Sequence, residues 1–287
     1  MNIITPSIRL SLAVLGTALA LYLMRDFIRH RNSLEPNSWW KTGIIGFVGN
    51  FFDTLGIGSF AIETALLKFM KQIEDRMLPG TLNVANALPT IAQALIFIQI
   101  IEVDPITLLS MIVASGAGAV LGSKIVVKFP ESRIRMFMGV ALLVAACFMI
   151  ATNLKGMEGT GTAIGLEGTR FVIAVAVNFV LGALMTAGIG LYAPCMALVF
   201  ALGMSPVVAF PIMMGSCAFL MPLASFRFIR QQAYAKRASI AVAVAGTAGV
   251  FIAAYIVKSM EMEILRWMVV AVIIYTAVVM LRAAVNG

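Results

Sequence analysis

Long apolar runs separated by short polar tracts make up almost the whole of the 287 residues. The first run, Leu10 to Met24, is followed by the basic tract Arg25, Arg29, His30 and Arg31. Gly43 to Met70, Gly80 to Ile101, Ile106 to Val127 and Ile134 to Ala151 come next, and then Phe171 to Leu202, Val207 to Phe228, Ala238 to Val257 and Ile264 to Leu281. A helix needs about 20 apolar residues to cross a bilayer, so the pattern predicts an all-α polytopic membrane protein. A cleaved signal peptide carries its charge before the run and a small-residue cleavage site after it. The first run has the reverse order, which predicts a retained helix whose C-terminal end is cytoplasmic.

The last four runs repeat the four before them, residue by residue. A slide of 132 places Phe47-Val48, Thr54, Gly56-Ile57-Gly58, Ala61, Ala65-Leu66 and Pro79 on Phe179-Val180, Thr186, Gly188-Ile189-Gly190, Ala193, Ala197-Leu198 and Pro211. A slide of 130 places Gly116, Val120, Val127-Lys128, Glu131, Ile134, Met138 and Val140-Ala141 on Gly246, Val250, Val257-Lys258, Glu261, Ile264, Met268 and Val270-Ala271. Apolar sequences coincide by chance at roughly one position in ten, and these stretches do so at about one in three. Such a duplication points to a transporter with its site between the repeats near the bilayer midplane. The chain then divides into an N-terminal helix with a basic cytoplasmic loop (1–42), a first repeat (43–153), a Gly-rich external loop (154–170) and a second repeat (171–287).

Charge decides how the repeats are oriented. Gly43 to Met70 either crosses once or dips in and returns at its Gly-Ile-Gly. If it returns, Lys41 shares the cytoplasmic side with Lys68, Lys71 and Arg76, while Glu102 and Asp104 lie outside. Lys124, Lys128, Arg133 and Arg135 then fall inside with Arg227, Arg230, Lys236 and Arg237, as the positive-inside bias requires. If it crosses once, the basic residues from Lys124 to Arg135 fall outside. The expected fold is an N-terminal helix plus two inverted-topology repeats, each a re-entrant broken helix and three transmembrane helices, with seven crossings in all. Broken backbone is tolerated at membrane depth only where it lines a protein-buried or watery cavity, so each break is also a site expectation.

Composition removes most other functions. With 61% hydrophobic and 12% charged residues and a mean hydropathy of +0.99, the chain has about half the charge of a soluble domain. The longest polar stretches, Arg25 to Lys41 and Asn153 to Arg170, are loop-sized and leave no room for an enzyme domain. A net charge of +8 would suggest nucleic acid in a soluble protein. Here the basic residues gather in short tracts beside apolar runs, as cytoplasmic membrane loops do. Cys147, Cys195 and Cys217 lie in apolar runs without disulfide or zinc spacing. No P-loop, HExxH or nucleophile elbow is present, and the single His30 builds no metal cluster. No cofactor is expected. The expected partners are a small-molecule anion and membrane lipid, and a homo-oligomer is allowed.

The residues left to carry chemistry surround the two glycine breaks. Half-helices starting at Gly58 and Gly190 would aim unpaired N–H groups and a partial positive charge at a small oxyanion; the alternative is that the Gly-x-Gly pairs only permit close packing. Candidate substrate-binding residues are Asn50, Thr54, Gly56, Gly58 and Ser59 around the first break and Thr186, Gly188, Gly190 and Tyr192 around the second. Asn83 and Asn86, three apart on one face of the next helix, and Ser216 in the second repeat complete the set. Asp53 and Glu63 are ionisable residues inside an apolar run, functional by default, and are candidates for proton coupling. For Asp53 the alternative is a structural cap of the turn, and for Glu63, five residues from Lys68, an interfacial position. Arg227 either snorkels to the cytoplasmic face or attracts anions to a mouth.

The runs Asp53-Thr-Leu-Gly-Ile-Gly-Ser59, Asp75-Arg-Met-Leu-Pro-Gly-Thr-Leu-Asn83 and Ala87-Leu-Pro-Thr90 resemble the leading half of the sulfite exporter TauE/SafE family, also called the four-toluene sulfonate uptake permeases. Phe226-Arg-Phe-Ile229 and Val257-Lys258 through Leu265-Arg-Trp267 resemble its trailing half, so the resemblance runs from about Gly43 to Leu281. Two departures stand out: Ser59 and Phe60 follow Gly58 where the family is richer in glycine, and Glu63 stands where a small or hydroxyl residue is expected. The resemblance implies a carrier of the bacterial inner membrane for sulfite, sulfonates and related small anions, often an exporter. The resulting expectation is alternating access around Gly56 to Ser59 and Gly188 to Tyr192, driven by proton-motive force. A carrier for a short carboxylate, a passive anion channel and a scaffold without transport are the alternatives.

Overall fold

The computed structural model describes residues 4–122, 131–154, 161–185 and 190–286. Among these, α1 (Ile4–Arg29) leads to α2 (Trp39–Thr54) and α3 (Ser59–Phe69). A short 3-10 turn, Asp75–Met77, introduces α4 (Leu78–Ile100), and α5 (Pro105–Ala117) continues into a π-helical turn at Gly118–Gly122. Then come α6 (Glu131–Leu154), α7 (Gly168–Met185), α8 (Tyr192–Ala201), α9 (Ala209–Arg230), α10 (Lys236–Ser259) and α11 (Met262–Asn286).

Gly43 to Met70 is broken where its glycines stand. The turn from Leu55 to Gly58 separates α2 from α3, with φ of 94° at Gly56 and 91° at Gly58. That region is open to glycine and strained for residues with a Cβ, so the helix cannot continue through it. At 16 and 11 residues, α2 and α3 are each shorter than a crossing.

Among the described residues six helices are long and apolar enough to span a membrane: Ile4–Arg29, Leu78–Ile100, Gly168–Met185, Pro206–Arg230, Lys236–Val257 and Trp267–Val285. The chain is thus built as a multi-pass membrane protein. Pro105–Leu121 and Leu142–Ala151, in two further expected crossings, are shorter apolar stretches. The leading part of the run Phe171 to Leu202 forms the 18-residue α7, which has the length of a crossing by itself. The break expected after it falls at Thr186 and Gly188, outside the described residues.

The chain separates into two compact units, one holding Ile3–Phe97 and Cys217–Ser259, the other Ile98–Ser216 and Met260–Gly287. In the first, α2 packs along α10. A Cβ at Gly46 would lie 2.5 Å from the Val242 Cα, one at Gly246 2.5 Å from the Asn50 Nδ2, and one at Gly249 2.5 Å from the Phe47 carbonyl oxygen. In the second, α7 packs along α5: the Asn178 Nδ2 donates to the Met111 carbonyl at 2.7 Å, Gly182 meets the Ser115 carbonyl, and Gly118 meets the Phe179 carbonyl. Each contact has its counterpart, since Gly46, Phe47 and Asn50 precede Asn178, Phe179 and Gly182 by 132 while Met111, Ser115 and Gly118 precede Val242, Gly246 and Gly249 by 131. In lipid no hydrophobic force drives helices together, so small residues that let backbones touch carry the association. Within the second unit α6 and α11 also pair, with Gly139 against Leu281 and the Ser132 hydroxyl donating to the Ala284 carbonyl at 2.7 Å.

Candidate functional site: a buried carboxylate network at the helix break

The last turns of α2 carry Asn50, Asp53 and Thr54 on one face, since positions three and four apart are neighbours on a helix. All three are buried, Asp53 at 4% exposure and the other two at 0%. Gly58 starts α3 without a side chain to cap it. The cap comes instead from the end of the preceding helix: the Asp53 Oδ1 accepts the Ser59 N–H at 2.5 Å. A carboxylate therefore sits against the partial positive charge of the α3 N-terminus. Its Oδ2 accepts from the Gln93 Nε2 of α4 at 2.9 Å. That same amide reaches the Thr54 Oγ1 at 3.0 Å, and the Thr54 hydroxyl donates to the Asn50 carbonyl at 2.8 Å.

Asn50 connects this group to a second carboxylate. Its Nδ2 donates to the Glu63 Oε1 at 3.1 Å and to the Asn86 Oδ1 at 2.6 Å, and the Asn86 Nδ2 donates to the Glu63 Oε2 at 2.6 Å. Glu63 and Asn86 are both fully buried. Gly49 admits the acid, because a Cβ there would stand 2.6 Å from the Glu63 Cγ and 2.7 Å from its Oε1. Two amides face Glu63, and no Lys, Arg or His pairs with it among the described residues. Glu63 is thus held by neutral hydrogen bonds alone.

Asn50, Asp53, Thr54, Ser59, Glu63 and Asn86 come together as one buried polar track, with Gly56 and the half-buried Gly58 in the turn beside it. Asn83 does not join it: half-buried, it spends its Nδ2 on the Pro79 carbonyl of its own helix at 2.8 Å. In the second unit Tyr192 is buried in the first turn of α8 and Gly190 is exposed. Ser216 is fully buried and its Oγ accepts from the Asn178 Nδ2 at 3.2 Å. Thr186 and Gly188 lie outside the described residues, and Arg227 is exposed in the last turn of α9. Asn178 and the bridging Gln93 are absent from the set read from sequence. The signal for Asn178 was a lone amide in an otherwise apolar run. The carboxylate network has no counterpart in the second half, since Met185, Cys195 and Ala218 stand 132 residues after Asp53, Glu63 and Asn86. Among the described residues no group of three or more His, Cys, Asp or Glu could hold a metal ion.

A family model described as Sulfite exporter TauE/SafE matches residues 2–149. The match contains the helix break, both carboxylates and the amides of Asn50, Asn86 and Gln93. No curated protein and no solved structure matches the chain. Covering more than half of the residues, the match assigns the fold's leading half and with it the protein: this chain belongs to the sulfite exporter TauE/SafE family.

Proposed function

We propose that the protein is a secondary transporter of the bacterial inner membrane that exports a small sulfur-containing anion, sulfite or an organosulfonate, together with a proton. The observation that carries this reading is the Asp53 carboxylate held on the N-terminus of α3 inside the helix break. A helix N-terminus binds oxyanions through its free N–H groups and dipole. Here an internal anion already holds that place. Protonating Asp53 removes the negative charge, frees the Ser59 N–H for a substrate oxygen, and lets anion and proton enter together. Gly56 and Gly58 allow close approach to the backbone, and Asn50, Thr54 and Asn86 offer neutral hydrogen bonds that hold an anion without trapping it.

Glu63 serves as the second proton-bearing group. Asn50 and Asn86 can each turn an amide N–H or a carbonyl oxygen toward it, so the pocket accepts either protonation state. A divalent oxyanion leaving with one proton still carries net negative charge outward, and an inside-negative potential favours that by about 2.3 kcal/mol per 100 mV. Two inverted repeats working by alternating access fit the duplication of sequence and the matched packing of α2 on α10 and of α7 on α5. Thr186, Gly188, Gly190, Tyr192 and Ser216 are then the second half of the substrate path, and Arg227 draws anions to its mouth.

Reconstituted vesicles test this. Sulfite efflux that accelerates with an interior-negative potential and carries protons supports the reading. Downhill flux without protons makes the protein a passive anion channel, preference for lactate makes it a carboxylate carrier, and absence of flux removes transport altogether.

A further inference from the structure

We propose that the groove between α2 and α10 seats one anionic phospholipid, an inference independent of what the protein transports. The groove encloses about 470 Å³, the order of one acyl chain, and its walls are apolar: Trp39, Trp40, Gly43, Ile44, Ala241 and Val244 line it. Small residues hollow it, and a Cβ at Gly43 would rest 3.8 Å from the Ala245 Cβ, in ordinary contact. Trp39 and Trp40 open α2 where tandem indoles mark the membrane–water boundary. Phe27 of α1 braces Trp39 edge-on at 5.9 Å, whereas Trp40 is 77% exposed and has its face free for lipid.

Charge at this end of the groove selects the headgroup. Lys41 is exposed in the first turn of α2, Arg237 lies in the first turn of α10, and Arg25, Arg29 and Arg31 are exposed at the end of α1. Of the acids of the same end, Asp26 and Glu35 are engaged internally, and the exposed Glu74 is paired with Arg76 at 2.7 Å. Asp26 accepts from the Tyr234 hydroxyl at 2.6 Å and from Gln232 at 2.9 Å, with the His30 Nδ1 at 3.4 Å. Glu35 accepts the first amides of α10, from Lys236 at 3.0 Å and Arg237 at 3.3 Å, and pairs with the Lys236 Nζ at 3.7 Å. What faces outward around the tryptophans is therefore basic, the complement of a phosphodiester beside an acyl-chain groove.

The test is native mass spectrometry of the detergent-solubilised full chain titrated with phosphatidylglycerol or phosphatidylcholine, with thermal melting in parallel. One phosphatidylglycerol per chain should be retained in preference to phosphatidylcholine and raise the melting temperature. Lys41→Gln should weaken it about fivefold, the loss of one basic contact near the surface. Gly43→Leu fills the groove and should abolish retention while the lipid-free protein melts normally; Val244→Trp fills it from the other wall should the first variant not fold. Equal retention of the two lipids, or undiminished binding in both filled variants, overturns the proposal. So does a disulfide-linked dimer formed by Val244→Cys, which would assign the groove to a second copy.

Discussion

Replacing Asp53 by Asn separates the structural work of this carboxylate from its charge. The Asn oxygen can still accept the Ser59 N–H, but as a neutral bond, which lowers a contribution of about 1.5–3 kcal/mol toward 0.5–1.5. On the other side the new Nδ2 meets the Gln93 Nε2, two donors face to face. Turning the Gln93 amide repairs that contact, yet the Thr54 hydroxyl is already donating to the Asn50 carbonyl, so the Gln93–Thr54 bond is lost at about 1 kcal/mol. Removing a buried charge offsets part of this. The net expected loss is about 1–2 kcal/mol, small beside a total stability on the order of 10 kcal/mol. Folding should survive, and thermal melting in detergent checks that. Function should change in kind. In the wild type, sulfite affinity should fall with rising pH by about tenfold per unit more steeply than in Asp53→Asn, because each bound anion must bring a proton to this carboxylate. Asp53→Asn is permanently neutral and should keep only the pH dependence that sulfite's own protonation produces. A folded variant that keeps the wild-type pH slope refutes the reasoning.

Further predictions follow from the same contacts. Glu63→Leu leaves one buried N–H of the Asn86 amide without an acceptor, its other bond going to the Leu82 carbonyl, and should lower stability by about 1–3 kcal/mol, whereas Glu63→Gln, which the amides can meet by turning, should melt near the wild type and lose proton-linked flux. Gly249→Ala drives a methyl against the Phe47 carbonyl and should cost about 1–3 kcal/mol, while Gly116→Ala meets open space within a helix and should stabilise by about 0.5–1 kcal/mol; equal melting temperatures would contradict the packing of α2 on α10. Burial, and after it the hydrogen bond to Asp26, raise the Tyr234 pKa. The stability this group contributes is complete below its unfolded pKa of about 10 and is lost as pH rises beyond it. Tyr234→Phe should therefore flatten the alkaline limb of the melting curve, and an unchanged limb would show that other groups produce it.

The helix break was legible because glycines three and five residues after an acid, in the middle of an apolar run, leave a helix no way to continue. What the glycines could not say is where neighbouring side chains turn. Asn83 and Asn86 share a helical face by spacing, yet they differ by about 60° around the axis, enough for one to enter the network and the other to bond its own backbone. An interfacial position was the alternative for Glu63, five residues from Lys68, since its burial depends on Gly49 of another helix, and that is a tertiary fact. The capping role of Asp53 was one of two alternatives in the sequence. The geometry supplies the cap directly and leaves proton carriage resting on the same contact. Among the described residues six of the apolar runs contain helices long enough to cross, but hydropathy alone did not show that the leading part of Phe171 to Leu202 belongs to a helix with the length of a crossing by itself.

The central claim, that substrate and proton meet at the helix break, is tested most directly by calorimetric titration of sulfite into the purified protein in two buffers of different ionisation heat. The difference counts protons taken up on binding. The account predicts about one more proton taken up per anion by the wild type than by Asp53→Asn, the variant showing only the proton exchange of sulfite itself. Sulfite binding with equal proton uptake in the two would contradict it.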